Sequence, residues 1–288
     1  MNNPNEAHWR SLCSLALGLT LLVTSHAAAD TKPKPAATEP STAEEAAKKK
    51  SAEDAAVNEK FAAWKATLPP AQQKWESILE ANLGTFYLPL YKRDKIAKRP
   101  TAWDYVADDP KLPRVLLIGD SISRGYTLAT RKELAGRVNV HRAPENCGPT
   151  ANALKKLDIW LGDGKWDAIH FNFGIHDRNT PLADYERRLE ELVVRLQKTG
   201  AKVIWASTTP VPSDTKDGDK MPAAIAERNA VAARVMTKHG IPIDDLFVAI
   251  EPHLAQTQNP KDVHFNEKGY ELLGKQVASS IENALHKQ

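Results

Sequence analysis

Four short segments of the chain carry side chains suited to chemistry. They are Gly119-Asp120-Ser121-Ile122-Ser123, Asn146-Cys147-Gly148-Pro149-Thr150, Gly174-Ile175-His176-Asp177 and Asp262-Val263-His264-Phe265. A serine hydroxyl is a poor nucleophile until a base takes its proton. Histidine is the usual base, because imidazole titrates near neutrality. A carboxylate then fixes the ring tautomer and stabilises the imidazolium. Ser121, His264 and Asp262 supply these three types. Gly119 permits a tight turn that exposes the Ser121 hydroxyl. The backbone N–H groups of Ser121 and Gly148 are placed to face a developing oxyanion, and Gly148 has no Cβ to block the approach.

The elements that must position these groups are legible from hydrophobic periodicity. Arg114–Ile118 reads as a buried strand between Pro113 and Gly119. Further strands are expected at 138–141, 168–173, Lys202–Ala206 and 242–246. Amphipathic helices separate them. The clearest has Tyr185, Leu189, Leu192, Val193 and Leu196 on one face. Others are expected over 222–239 and from Glu267 onward, with Tyr270, Leu273, Val277 and Ile281 inward. Strand and helix in alternation predict an α/β fold: a three-layer α/β/α sandwich around a mostly parallel, flavodoxin-like sheet of five strands. In such sheets ligands bind beyond the carboxyl ends of the strands. The first three chemical segments directly follow strands, and the fourth precedes the last helix.

Over residues 113–288 the sequence resembles the SGNH (GDSL) hydrolases. The GDSIS run at Gly119–Ser123 is close to that family's GDS signature, Gly148 matches the glycine of its second block, and Asp262 with His264 matches its last block. The resemblance implies an esterase working through an acyl-serine, without metal or organic cofactor. Ser121 would be nucleophile, His264 base and then acid, and Asp262 the orienting carboxylate. Gly148 and Ser121 would donate backbone N–H groups to the oxyanion. The family's third block is usually G-x-N-D, whose asparagine also donates; here His176 stands in its place, and Asp177 is the neighbour expected to set its ring. The last block is usually D-x-x-H. Here Lys261 occupies the aspartate position, so either Asp262 reaches His264 through a different turn or a backbone carbonyl orients the ring. Arg124 and Arg178 flank the segments. Asp120 reads as a helix cap and Cys147 as a small buried residue.

Composition narrows the remaining classes. Lys and Arg number 39 against 36 Asp and Glu, a net charge of +3. That is too little for a dedicated nucleic-acid surface. Two cysteines exclude a disulfide scaffold. Arg10, the apolar run 12–23 and Ala27-Ala28-Ala29 have the order of a signal peptide over 1–29. The run is too short to span a bilayer. No stable membrane insertion is expected after cleavage, and the protein is expected to be secreted or periplasmic.

Residues 30–59 read as a flexible, low-complexity linker. Residues 60–112 read as an N-terminal helical and aromatic extension, and 113–288 as the catalytic domain. The function implied by the resemblance is hydrolysis of small acyl esters, acetyl above all, on a small ester or acylated carbohydrate. Two alternatives are a lipid esterase or thioesterase, and a non-catalytic cell-surface binding protein whose site has lapsed.

Overall fold

The computed structural model describes residues 42–214, 218 and 220–286. The expected signal peptide and residues 30–41 of the expected linker lie outside these, as do 215–217 and 219 of the loop after the fourth strand. The chain divides into a unit Met1–Ala46 and a compact unit Ala47–Gln288. No described helix is long and apolar enough to cross a membrane.

Three helices precede the sheet: α1 (Thr42–Ala66), α2 (Pro70–Asn82) and α3 (Gly84–Ile96). Residues 42–59 are therefore helical, where a flexible linker was expected. Alanine, glutamate and lysine are strong helix formers. The helix is also tied down: Asp54 pairs with Arg93, and Asn58 accepts from Lys92 at 3.1 Å. The three helices share an aromatic cluster, with Phe61, Leu79, Leu83, Tyr91 and Trp103 buried. Trp75 donates to the Trp103 carbonyl at 2.8 Å, and Trp103 donates to that of Ala143 at 3.2 Å, which docks the extension on the sheet domain.

The sheet domain follows in order: β1 (Arg114–Ile118), α4 (Ser121–Glu133), β2 (Asn139–Arg142), α5 (Thr150–Leu161), β3 (Ala168–Phe171), α6 (Leu182–Gln197), β4 (Lys202–Ala206), α7 (Lys220–Lys238), β5 (Ile243–Asp244), the short α8 (Leu246–Ile250) and α9 (Leu254–Thr257), and α10 (Glu267–His286). All strand pairs are parallel, in the order β2-β1-β3-β4-β5. This is the three-layer α/β/α architecture.

Strand periodicity of two divides the core. Leu116, Ile118, Ile169, Phe171, Val203 and Trp205 face one layer with Leu189, Leu192 and Val235. Val115, Leu117, Ile204 and Ala206 face the other, with Tyr126, Leu273, Val277 and Ile281. Both sheet faces are thus buried, which a parallel sheet requires. Helix α10 lies close against α4, since a Cβ on Gly274 would meet Ala129 at 2.4 Å. This packing holds the C-terminal loop before α10 next to the start of α4.

Candidate active site

Ser121 is the first residue of α4, at the carboxyl end of β1. Asp120 caps that helix, its side chain accepting from the Ile122 N–H at 2.9 Å. Gly119 is needed for the turn, because a Cβ there would sit 2.8 Å from that of Ser123. The Ser121 Oγ lies 2.8 Å from His264 Nε2, and His264 Nδ1 lies 2.7 Å from Asp262 Oδ1. With a neutral ring, Nδ1–H donates to the carboxylate and Nε2 accepts from the serine hydroxyl.

The shortened last block reaches this geometry through a compact turn. Lys261 takes the left-handed conformation at φ 56°. The Asp262 N–H donates to Asn259 O at 3.2 Å, and Asn259 N–H donates to His264 O at 2.9 Å. Asp262 Oδ1 also accepts the His264 backbone N–H at 3.3 Å. Asp262, not a backbone carbonyl, therefore touches the ring. Burial opposes ionisation of Asp262, but the hydrogen bonds from the His264 ring and backbone outweigh it and hold the carboxyl below the usual carboxylate range.

The second and third segments meet beside this chain. Gly148 has φ +65°, a conformation that suits glycine. The Cys147 N–H donates to Gly119 O at 3.1 Å, tying this turn to the one that bears Ser121. Asp177 is fully buried, and both its oxygens serve Thr150, accepting from its N–H and its hydroxyl at 2.8 Å each. Asp177 therefore fastens the start of α5, whereas the sequence suggested it as the group that sets the His176 ring. The carboxylate is drawn to the unsatisfied N–H groups of a helix start. His176 stands exposed on a 3₁₀ turn, Ile175–Asp177.

Cys147 is buried, and burial, partly opposed by the Arg142 charge, pushes its thiol up to about 12, which leaves it unreactive. Arg124 stacks over Tyr87 and Trp103, at 5.4 and 5.9 Å.

A cavity of about 590 Å³ opens over these groups. Its wall includes Ser121, His176, Asp262 and His264, with Arg178 and Lys261 at the same opening. The wall also holds Asn146, to which the sequence assigned no role, and Met221 and Tyr87 from outside the four segments. Asn146 adjoins Gly148 in sequence, so its neighbourhood was a usable signal. Tyr87 comes from α3, and nothing local in sequence places it there. A second cavity of about 530 Å³ between α2 and the sheet domain holds no serine or cysteine. Among the described residues no three His, Cys, Asp or Glu side chains converge as a metal site.

A profile of the GDSL-like lipase/acylhydrolase family matches residues 117–272, more than half of the chain. This chain belongs to that family. A solved lipase/acylhydrolase from Enterococcus faecalis is 25% identical, with a TM-score of 0.55, over 62% of this chain and 100% of its own. An acetyl xylan esterase, AlAXEase, shares the fold at 14% identity and a TM-score of 0.52, over 58% of this chain and 99% of its own. An acetyl-xylooligosaccharide esterase from Geobacillus stearothermophilus, solved as a mutant, does so at 16% identity and a TM-score of 0.50, over 61% and 95%. No curated protein sequence matches. The GDSL-family protein is a serine hydrolase acting on ester bonds.

Proposed function

We propose that this GDSL hydrolase is a secreted or periplasmic esterase that removes small acyl groups, acetyl above all, from carbohydrates through an acyl-serine at Ser121. The observation that carries the reading is the unbroken Asp262–His264–Ser121 hydrogen-bond chain, at 2.7 and 2.8 Å, opening on a walled cavity. His264 Nε2 takes the hydroxyl proton as Ser121 Oγ bonds the ester carbonyl carbon. The carbonyl π electrons move onto oxygen, which the N–H groups of Ser121 and Gly148 bind. His176 stands on the same wall as a further donor, in the place of the family's asparagine. Collapse of the tetrahedral intermediate breaks the ester C–O bond, and His264 returns its proton to the leaving alcohol. Water then attacks the acyl-serine, with His264 again as base; the acyl C–Oγ bond breaks, His264 returns the proton to Ser121 Oγ, and the acid leaves.

Three features support a saccharide alcohol. The fold is shared with proteins named as esterases of acetylated xylan and xylooligosaccharides. Tyr87, whose ring Arg124 stacks upon, borders the cavity and is the aromatic group there suited to contact a sugar ring. The signal-like order of residues 1–29 would deliver the enzyme to extracellular polymer.

The test compares the full chain with Ser121→Ala on p-nitrophenyl acetate, p-nitrophenyl octanoate and acetylated xylan. Wild type should release acetate from both acetyl substrates and label with a fluorophosphonate. Ser121→Ala should lose at least about a thousandfold in kcat/KM and all labelling. A preference for octanoate overturns the acetyl assignment, and equal inertness of both proteins overturns the nucleophile. Tyr87→Ala should raise KM for an acetylated oligosaccharide about fivefold and leave p-nitrophenyl acetate nearly unchanged. Secreted protein should begin near Asp30.

A further inference from the structure

Arg142 ends β2 and is only 1% exposed. A buried charge ordinarily needs a partner of opposite sign. Arg142 spends its guanidinium differently. Its Nη1 donates to Ser123 Oγ, and its Nη2 donates to the carbonyls of Gly119 at 3.1 Å and Asp120 at 2.8 Å. None of these bonds goes to a carboxylate, and all of them go to the turn that carries Ser121. The Nε is buried without a partner. The Trp103 ring lies 5.7 Å from the guanidinium carbon, so the extension helps keep water away. Burial pulls the pKa of Arg142 below the ordinary arginine value, but a guanidinium keeps its charge at any working pH.

The consequence follows from peptide geometry. In a trans peptide the C=O and N–H point to opposite sides of one rigid plane. The Asp120 carbonyl and the Ser121 N–H belong to the same plane. That carbonyl accepts twice, from Arg142 and from the Arg124 N–H at 3.0 Å, which is the first hydrogen bond of α4. Fixing the carbonyl from behind fixes the N–H in front. The Ser121 N–H stands in the first turn of a helix and so has no intrahelical acceptor. A cation on the carbonyl oxygen also draws electron density from the peptide nitrogen and strengthens its N–H as a donor. The second contact, on Gly119 O, meets the Cys147 N–H at the same oxygen. The guanidinium thereby joins the turn of Ser121 to the turn of Gly148.

We propose that Arg142 is a positioning residue for ester hydrolysis: its buried guanidinium aims and polarises the Asp120–Ser121 peptide, so that the Ser121 N–H meets the oxyanion. This rests on the reading of Ser121 as nucleophile. The role belongs to the transition state. The ground-state carbonyl carries little charge, so most of the effect falls on kcat and little on KM.

The test uses the full chain with Arg142→Met and Arg142→Lys. Four quantities are measured: the melting temperature, kcat and KM on p-nitrophenyl acetate, fluorophosphonate labelling, and Kd for an alkyl boronic acid, which forms a tetrahedral anion on a reactive serine. Arg142→Met should lower kcat at least about thirtyfold, with KM within about threefold. Its boronate affinity should weaken by a similar factor. Arg142→Lys keeps the charge but puts its donors on one nitrogen in place of the planar fork whose two nitrogens reach the hydroxyl and the two carbonyls, so it should fall between Met and wild type in both measurements.

A folded Arg142→Met with kcat within about threefold of wild type overturns the proposal. So does a kcat loss that leaves boronate affinity untouched. Where Arg142→Met does not fold, Arg142→Lys decides by the same pair of readouts. If wild type neither hydrolyses the ester nor labels at Ser121, the nucleophile reading has failed and not the role of Arg142.

Discussion

Asp262 lies two residues before His264, one position closer than the family's usual spacing. Its carboxylate accepts from both the ring and the backbone N–H of that histidine. The hydrogen bonds outweigh the burial that opposes its charge and hold the carboxyl below the usual carboxylate range. A charged carboxylate beside the ring favours the imidazolium that forms when His264 takes a proton. Asp262→Asn keeps the shape but removes that stabilisation and frees the ring tautomer. We expect kcat on p-nitrophenyl acetate to fall by about 10²–10⁴, with the melting temperature close to wild type. A loss below about threefold would mean that another group orients the ring. At this scale much was legible in the sequence. Serine, histidine, aspartate and glycine announce their chemistry by type, and each lay at a strand end or before the last helix. What sequence left open was reach. Whether Asp262 or a backbone carbonyl meets His264 depends on Lys261 turning left-handed, which no spacing rule for D-x-x-H contains. Asp177 shows the converse: it neighbours His176 in sequence, yet its carboxylate turns away to Thr150.

The elements show the same division. Strands with continuous apolar runs and helices with a clear apolar stripe were legible, because burial on both faces or on one stripe leaves a periodic mark. The extension was harder to read. Pro89 sits inside α3, where proline argues against a helix. The alanine-, glutamate- and lysine-rich part of α1 has the composition of a linker and the propensity of a helix. Only contacts from α3 decide between them. One of the extension's inner contacts carries a pH signature. Glu76 of α2 is fully buried, and Tyr91 of α3 donates to its Oε2 at 2.6 Å, while its Oε1 has no partner. Burial raises the Glu76 pKa, only partly offset by the Tyr91 hydrogen bond and by Lys95 and Lys65. The unfolded carboxyl ionises at its ordinary value and the folded one at a higher pH. The stability associated with the protonated form is therefore full below the ordinary carboxylate range and is lost as pH rises through the folded pKa. Glu76→Gln keeps an acceptor for Tyr91 without the charge. It should raise the melting temperature by a few degrees, about 2–4 °C, at pH 8 and leave it nearly unchanged at pH 4. A variant that melts lower at pH 8, or gains equally at both, would contradict the assignment.

At the scale of the whole molecule, the matched family region begins at residue 117, yet the chain before it builds part of the cavity and covers its rear. Tyr87 borders the cavity, and Trp103 packs over Arg142 behind the turn of Ser121. These side chains pack in an aromatic cluster to which α1 contributes Phe61, 1% exposed and 6.1 Å from the Tyr91 ring. Lys65 adds an ion pair to Glu80 of α2 at 2.6 Å. The last part of α1 is thus joined to α2 and α3 by packing and an ion pair, and its removal should be felt as lost stability. Burial of one large aromatic is worth about 3–5 kcal/mol when it is deleted from a packed site. A chain beginning at Ala47 retains Asp54, Phe61 and Lys65 and should melt with the full chain. A chain beginning at Pro70 loses all three and should melt several degrees lower, about 5–10 °C. Its kcat on p-nitrophenyl acetate at 25 °C should stay within about threefold, since Ser121, His264 and Asp262 are positioned by α4 and α10. Its KM for an acetylated oligosaccharide should rise, because Tyr87 is then less firmly held. Equal melting of the two truncated chains would show that α1 is dispensable and that Tyr87 is held at the cavity without it.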